Sequence, residues 1–330
     1  MLAQVRNLAA RSKTAIISHH IYDNWRTKKR FNAGNITSTS GSTHTTMSLK
    51  DSLRYIDQAF NDYLSYACFS RDMLPDKRIL EIGPGDNVGV AIKFLVAGVK
   101  QVVCLDKFYS IQDWEQQRKI YRALRDQLND DEKQIFDEII DLERGIKTDS
   151  PKLIYLFGNG IEEADQIFEP ESFNFIISRA VFEHVYDPDS AFTVMHRLLA
   201  PGGYMLHKID LRDHGIFSKH KHHPLTFLTI ADPVYRLMVY DSGKPNRKLV
   251  NYYRTKAVEL GLNAKIYITH VVGVDCELTP QRETLALNVD YNATTLELLK
   301  GIRPHLQDEF KTMPDQDLMV SGIFLVAQKH

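Results

Sequence analysis

The sequence predicts an α/β fold built on a doubly wound, mostly parallel sheet, and three observations lead to that prediction. Apolar strand candidates alternate with helical segments along most of the 330 residues, a pattern typical of parallel strands joined by right-handed crossovers. The first strand candidate, 78–83, runs into a glycine turn that continues to Gly85. The second strand candidate, 101–106, ends in a carboxylate, Asp106.

Residues 1–47 precede the sheet and are expected to form an N-terminal helical arm that is partly flexible. Within the arm, 34–46 is rich in Gly, Ser and Thr, a composition typical of a linker. A helix is then expected to begin at Ser48 or Asp51, either of which suits a helix cap, and to run to about residue 71. Apolar residues recur at helical spacing between these limits.

The alternating region occupies the rest of the chain, 48–330, which we expect to be one domain. Its strand candidates are, in order, 78–83, 101–106, 152–157, 173–178, 203–210, 264–272 and 318–328. The clearest helix candidates between them are 88–98, 189–199 and 248–261.

Two insertions interrupt the alternation of strands and helices. The first, 108–150, is rich in charged residues and helix formers and is expected to form two helices. The second, 214–248, follows the fifth strand and is rich in histidine and aromatic residues. Open parallel sheets bind ligands beyond the carboxyl ends of their strands. We therefore predict that 214–248 is a substrate lid.

The glycine turn and Asp106 together indicate a site for an adenosine-bearing cofactor. A nicotinamide dinucleotide fingerprint requires a third glycine at the sixth position, where this chain has Val88. A pyrophosphate would also be repelled by Glu81. S-adenosylmethionine carries no phosphate, so Glu81 suits its cationic end and Asp106 suits its two ribose hydroxyls. The sequence favours S-adenosylmethionine over a nicotinamide cofactor.

Three blocks of sequence resemble class I S-adenosylmethionine-dependent methyltransferases, in particular those of type 11. The blocks are 78–87, 173–185 and 198–204, and they occur in the order and at the spacing of that family. The resemblance covers roughly residues 75–210. It implies a Rossmann-like sheet of seven strands, of which the last is antiparallel, with S-adenosylmethionine as the methyl donor.

The predicted cofactor site takes residues from the turns that follow the first four strands. Glycines allow the backbone to approach the cofactor closely, and the resemblance implies that Asn159 holds the adenine edge. An ordinary turn is the alternative role for Asn159. The full set is Glu81, Gly83, Pro84, Gly85, Asp106, Lys107, Asn159, Gly160, Ser178 and Arg179.

Polar residues after the fourth and fifth strands are the candidates for acid–base chemistry. An unperturbed imidazole titrates near ~6.5 and takes a proton from a hydroxyl. A structural role for His184 and a salt-bridged hinge at 207–214 stay open as alternatives. Histidines at 214, 220, 222 and 223 have no firm ligand spacing and no accompanying cysteine, so no metal is expected. The catalytic candidates are His184, His207, Asp210 and His214.

The composition of the chain limits the kinds of binding partner that we expect for it. The chain has 41 Lys and Arg against 42 Asp and Glu, for a net charge of -1, which gives no general attraction to nucleic acid. Cys68, Cys104 and Cys276 are widely separated, which indicates a reducing, cytoplasmic setting. No apolar run approaches the ~20 residues that span a bilayer. A monomer or homodimer acting on a small molecule is expected.

The polar run 207–214 favours O-methylation of a small polar acceptor, such as a sugar or a polysaccharide precursor. Methylation of a lipid, a quinone or another small aromatic acceptor is an alternative, with an apolar pocket formed by Phe217, Phe227 and Leu228. A non-catalytic cofactor-binding subunit is the alternative of a different class. Glu81 and Asp106, together with the glycine turn, argue against that last possibility.

Overall fold

A seven-stranded sheet forms the centre of the molecule in a computed structural model that describes residues 12–38, 41–274 and 276–330. Its strands run in the order β6-β7-β5-β4-β1-β2-β3. The strands are β1 (Arg78–Ile82), β2 (Gln101–Asp106), β3 (Leu153–Phe157), β4 (Phe173–Arg179), β5 (Leu199–Asp210), β6 (Asn263–Val271) and β7 (Val320–Gln328).

The pairing of the strands confirms the predicted sheet. Strands β1 to β5 pair in parallel, and β7 pairs antiparallel with both β5 and β6. Strand β1 has β2 on one side and β4 on the other, so the chain reverses its direction of winding at β1. A crevice forms outside the carboxyl ends of the strands at such a reversal.

Helices cover both faces of the sheet, because successive strand residues point to opposite sides. Ile79 belongs to one apolar core and Leu80 to the other. The longer helices are α1 (Lys13–Asn32), α2 (Leu49–Ala67), α3 (Gly89–Val96), α4 (Trp114–Asp126), α5 (Asp130–Ile139), α6 (Pro188–Leu198), α7 (Asp232–Val239), α8 (Val250–Glu259) and α9 (Ala293–Ile302). Two short ones follow, α10 (Asp308–Lys311) and α11 (Asp315–Met319).

Local sequence explains where several of these helices begin and end. The side chain of Ser48 accepts a hydrogen bond from Asp51 N and caps α2, as predicted. That helix ends earlier than expected, at Cys68, which adopts a left-handed conformation. Asn129 and Glu132 form a capping box at the start of α5. Across the described ranges, none of the helices is long and apolar enough to span a bilayer.

The described part of the N-terminal arm is docked on the domain, whereas the composition of 34–46 predicts a linker. Residues 37–38 pair in parallel with 109–110. The carboxylate of Asp86 accepts hydrogen bonds from His44 N and from the backbone and hydroxyl of Thr45. A buried carboxylate needs such donors, and they hold the arm in place. The first eleven residues of the arm, and 39–40, lie outside the described ranges.

The insertion 214–248 contributes apolar side chains to the core. Phe217, Phe227 and Leu228 are fully buried, and helix α7 packs against α1 of the arm. The backbone N–H of Asp241 donates to the side chain of Asn24 at 2.7 Å. The insertion and the arm therefore meet on the same side of the molecule, and the lid function stays a prediction.

Candidate functional site

A cavity of about 580 Å³ lies at the carboxyl ends of β1, β2 and β4, where the direction of winding reverses. Its floor is the glycine turn that follows β1, together with the turns after β2 and β4. Helix α1 and residues 41–44 of the arm close one side, and residues 242–244 contribute to another. Segments that are distant in sequence thus line the same cavity.

The glycine turn requires glycine for two physical reasons. Gly83 and Gly85 have φ values of +65° and +73°, which L-residues with a Cβ rarely adopt. A Cβ on Gly83 would lie 2.5 Å from Val181 Cγ2, and one on Gly85 would lie 2.6 Å from Gly41 O. Neither position therefore tolerates a side chain, and both glycines line the cavity.

Asp106 lies on the cavity wall at the end of β2, as predicted. One carboxylate oxygen accepts the backbone N–H of Phe108 at 3.2 Å. Burial raises the pKa of Asp106 to about 6, so the group is mostly ionised at pH 7. A carboxylate has about four lone-pair sites, which leaves capacity for a ligand diol.

Glu81 does not line the cavity. It is 7% exposed and pairs in register with Cys104 on the neighbouring strand, whose thiol donates to its carboxylate at 3.5 Å. Burial raises the pKa of Glu81 to about 7. The sequence predicts that Glu81 interacts with the cationic end of the cofactor directly or through water, and its position off the cavity wall favours the water-mediated form.

Seven of the ten predicted cofactor residues line the cavity, and three do not. Ser178 is buried and bonds to His207 Nδ1 at 2.8 Å. Asn159 does not line the cavity, although the nearby Ile161 and Glu162 do. The residues that do line the cavity are Gly83, Pro84, Gly85, Asp106, Lys107, Gly160 and Arg179.

Among the catalytic candidates, His184 alone lines the cavity. Its imidazole packs against that of His214, with ring centroids 4.8 Å apart. The Nε2 atom of His214 lies 3.5 Å from Asp210 Oδ2 and 3.8 Å from Glu183 Oε1. The structure therefore brings three of the four candidates together and adds Glu183, which was not among them.

Burial and neighbouring charges shift the pKa values of the side chains in this cluster. The pKa of His184 is lowered to about 3 by burial and by the neighbouring His214, so its imidazole is neutral at pH 7 and is a weak proton acceptor. Burial raises the pKa of Glu183 well above its ordinary value. The Arg212 guanidinium lowers the pKa of Asp210 against the effect of burial.

His207 does not reach the cavity, contrary to its predicted catalytic role. Its side chain is fully buried and bonds to Ser178, because position 207 of β5 points into the layer beneath the cavity. Burial lowers the pKa of His207 to about 3. The residue is part of the polar packing between β4 and β5.

The polar run at the end of β5 is largely accounted for by ion pairs. Lys208 Nζ contacts Asp62 at 3.0 Å and Glu277 at 2.8 Å. Asp62 also holds the guanidinium of Arg179 at 2.6 Å. These pairs fix Arg179 on the cavity wall, which is the salt-bridged arrangement that the sequence left open.

The arm contributes wall residues that sequence analysis missed. Asp23, Thr27 and Arg30 come from α1, and His44 follows the arm's short strand. His44 is buried, its Nδ1 has no hydrogen-bond partner, and its ring packs against Tyr55 at 5.4 Å. These residues carry no motif, so only the three-dimensional docking of the arm identifies them.

The profile of a methyltransferase domain family matches residues 42–259, about two thirds of the chain. The match begins within the docked arm and ends with α8, so it contains the glycine turn, Asp106 and both groups of catalytic candidates. No functionally curated protein matches the chain.

Several solved structures are similar to the chain at low identity. Haemonchus contortus phosphoethanolamine N-methyltransferase 2, solved with phosphomonomethylethanolamine and S-adenosylhomocysteine, is 15% identical, with a TM-score of 0.40 over 83% of this chain. The chain covers 52% of that enzyme.

The YcgJ protein of Bacillus subtilis is 13% identical, with a TM-score of 0.42 over 83% of this chain and 99% of its own. An S-adenosylmethionine-dependent methyltransferase of Mesorhizobium loti is 13% identical, with a TM-score of 0.40 over 83% and 100% of the two chains.

Proposed function

We propose that this chain, which belongs to the methyltransferase domain family, transfers the methyl group of S-adenosylmethionine to a hydroxyl of a small polar molecule such as a sugar. The single observation that supports this acceptor is the polarity of the cavity wall. Four acidic and four basic residues line it: Asp23, Asp86, Asp106, Glu162, Arg30, Lys107, Arg179 and Lys244.

The residues of the cavity fit S-adenosylmethionine. The bare backbone at Gly83 and Gly85 admits a closely held ligand, and Asp106 offers lone pairs for a ribose diol. Phe108 and Ile161 give apolar wall for an adenine ring. When bound, the cofactor supplies a methyl group on a sulfonium sulfur, which keeps the electron pair of the broken C–S bond.

The three residues predicted to form an apolar acceptor pocket do not line the cavity. Phe217, Phe227 and Leu228 were the residues expected to line a lipid or quinone pocket. All three are at most 1% exposed, and none of them lines the cavity. An apolar ring would remove these charged side chains from water without replacing their hydrogen bonds, which costs free energy. The hydroxyls of a sugar can form hydrogen bonds with them instead.

The chain's own residues orient the acceptor and exclude water. The docked arm covers the cavity, which strengthens electrostatic interactions inside it. The unpartnered Nδ1 of His44 is suited to accept a hydrogen bond from an acceptor hydroxyl. His184 lines another part of the cavity wall, with His214 beside it and Asp210 beside His214. We assign activation of that hydroxyl to this group.

The test is a methyl-transfer screen with isotopically labelled S-adenosylmethionine. Nucleotide sugars and simple glycosides are offered in parallel with quinones, primary amines and catechols, and the products are located by mass spectrometry and NMR. The proposal expects an O-methyl sugar from at least one member of the first group. Turnover confined to an amine, a carbon nucleophile or an apolar ring would contradict it.

A further inference from the structure

Three side chains with metal-ligand atoms converge beside the cavity. Glu183, His184 and His214 each place one such atom within 4.8 Å of the others. Glu183 and His184 follow β4, whereas His214 begins the insertion after β5. Parallel strands bring these two turns to the same edge of the sheet, which is why residues thirty positions apart meet.

Two atoms of this cluster are buried without a hydrogen-bond partner. They are Glu183 Oε2 and His184 Nδ1, and Glu183 as a whole is 2% exposed. A buried polar atom without a partner costs roughly 1–3 kcal/mol, and most such atoms in folded proteins are satisfied. Two neighbouring electron-pair donors with nothing to bind indicate a shared ligand that is electron-poor.

We propose that Glu183, His184 and His214 bind one divalent transition-metal ion, which holds the acceptor hydroxyl at the cavity wall. Two imidazoles and a carboxylate are a donor set that zinc and its first-row neighbours prefer. Magnesium and calcium favour sites made of oxygen alone. Three protein ligands also leave a coordination position open for a substrate.

The distances in the cluster are close to those of a bound ion. Ligand atoms around a tetrahedral zinc lie about 3.3 Å apart, given metal–ligand distances of about 2.0–2.1 Å. His214 Nε2 and Glu183 Oε1 are 3.8 Å apart, and all three ligand atoms lie within 4.8 Å of one another, so they would have to draw together to hold the ion. A second carboxylate, Asp210, is 3.5 Å from the same nitrogen and adds negative charge opposite the cation.

The surrounding groups orient the ligands and admit the ion. The ring of His214 packs against that of His184, with ring centroids 4.8 Å apart, and this contact orients the two imidazoles. His184 Nδ1 has no hydrogen-bond partner, so this nitrogen is available to a metal ion. The His214 side chain is 26% exposed, which gives a path from solvent.

The chemical role of the ion rests on the O-methylation proposed above, whereas the binding of the ion does not. A hydroxyl held by the ion would be more acidic than a free one, and its proton would leave to the solvent that reaches the cluster at the partly exposed His214. The hydroxyl oxygen then forms the bond to the methyl carbon, the C–S bond breaks, and sulfur keeps the electron pair.

The experiment is calorimetric titration of the chelator-stripped full chain with Zn²⁺, followed by desalting and elemental analysis. We expect one zinc per chain and no comparable uptake of Mg²⁺. Glu183→Gln and His214→Ala are expected to lower the zinc affinity at least about 10-fold. His220→Ala, a histidine of the same insertion outside the cluster, is the matched control and is expected to bind zinc as the unmodified chain does.

Binding of S-adenosylhomocysteine identifies variants that are folded. If Glu183→Gln does not fold, His214→Ala decides, because its side chain is partly exposed. A stripped chain that takes up no zinc, or a folded His214→Ala that binds zinc normally, would overturn the site. Zinc uptake without any O-methyl product would refute the acceptor and leave the site standing. O-methylation that is unchanged by chelation would overturn the role given to the ion.

Discussion

Single residues decide how the cavity holds its ligand, and Asp106 is the clearest of them. Its position was predictable, because a carboxylate at the end of the second strand has few other uses so close to a glycine turn. The position of Glu81 was also predictable, but its orientation was not. The Glu81 carboxylate contacts the Cys104 thiol and does not line the cavity, and that contact exists only in the folded sheet.

Asp106→Asn is expected to weaken S-adenosylhomocysteine binding about 10- to 100-fold. The amide keeps the shape but loses the charge and one acceptor oxygen, and hydrogen bonds to a charged group contribute about 1.5–3 kcal/mol. Calorimetry measures the loss. Asp149→Asn, at an exposed position, is the matched control, and equal affinities for the two variants would exclude Asp106 from the site.

Among the catalytic candidates, sequence identified the right turns but could not rank the side chains. His184, Asp210 and His214 follow β4 and β5, whose ends meet at one edge. His207 belongs to the same run, yet it points into the layer below. Alternation tells which residues share a side of a strand, but it does not tell which side faces the ligand.

At the scale of elements, the seven strands were predicted to within a few residues because buried parallel strands are short apolar runs bounded by glycine and charge. Three crossover helices were likewise found from their periodicity. The same reasoning from local pattern did not predict that the arm docks on the domain. Its composition resembles a linker, and it is ordered through contacts with Asp86 that have no counterpart in local sequence.

Asp86→Ala is expected to release residues 41–46 of the arm. The substitution leaves two backbone N–H groups and one hydroxyl without their acceptor, and these donors regain partners in water if the segment detaches. Hydrogen exchange of 41–46 is expected to accelerate by an order of magnitude or more.

The same variant is expected to bind S-adenosylhomocysteine more weakly, because Gly41 and His44 are part of the cavity wall. Exchange in α9, which is remote from the arm, serves as the internal reference and is expected to stay unchanged. Exchange at 41–46 equal to that of the unmodified chain would show that other contacts hold the arm.

At the scale of the whole molecule, one arrangement of strands accounts for the site. The reversal of winding at β1 opens the crevice, the turns after β1, β2 and β4 furnish its floor, and the insertion after β5 meets the arm above it. The sheet was predictable from alternation and resemblance. The closure of the cavity was not predictable, since it depends on contacts between the N-terminal arm and the insertion 214–248.

Buried titratable groups give the whole fold a dependence on pH with opposing contributions. Glu81 and Asp106 have raised pKa values, about 7 and about 6, so their contributions to stability fall as the pH rises through this range. The pKa of His207 is lowered to about 3. Its contribution is therefore present above its unfolded value of about 6.5 and is lost as the pH falls.

His207→Gln isolates the histidine contribution, because the other groups are common to both proteins. Below pH 6.5 His207 gains a proton in the unfolded chain but stays neutral in the folded protein. This difference lowers the free energy of unfolding of the unmodified protein by about 2 kcal/mol between pH 7 and pH 5. Urea denaturation at the two pH values measures this loss. The variant should lose about 2 kcal/mol less on acidification, and parallel losses in the two proteins would show that His207 is protonated in the fold.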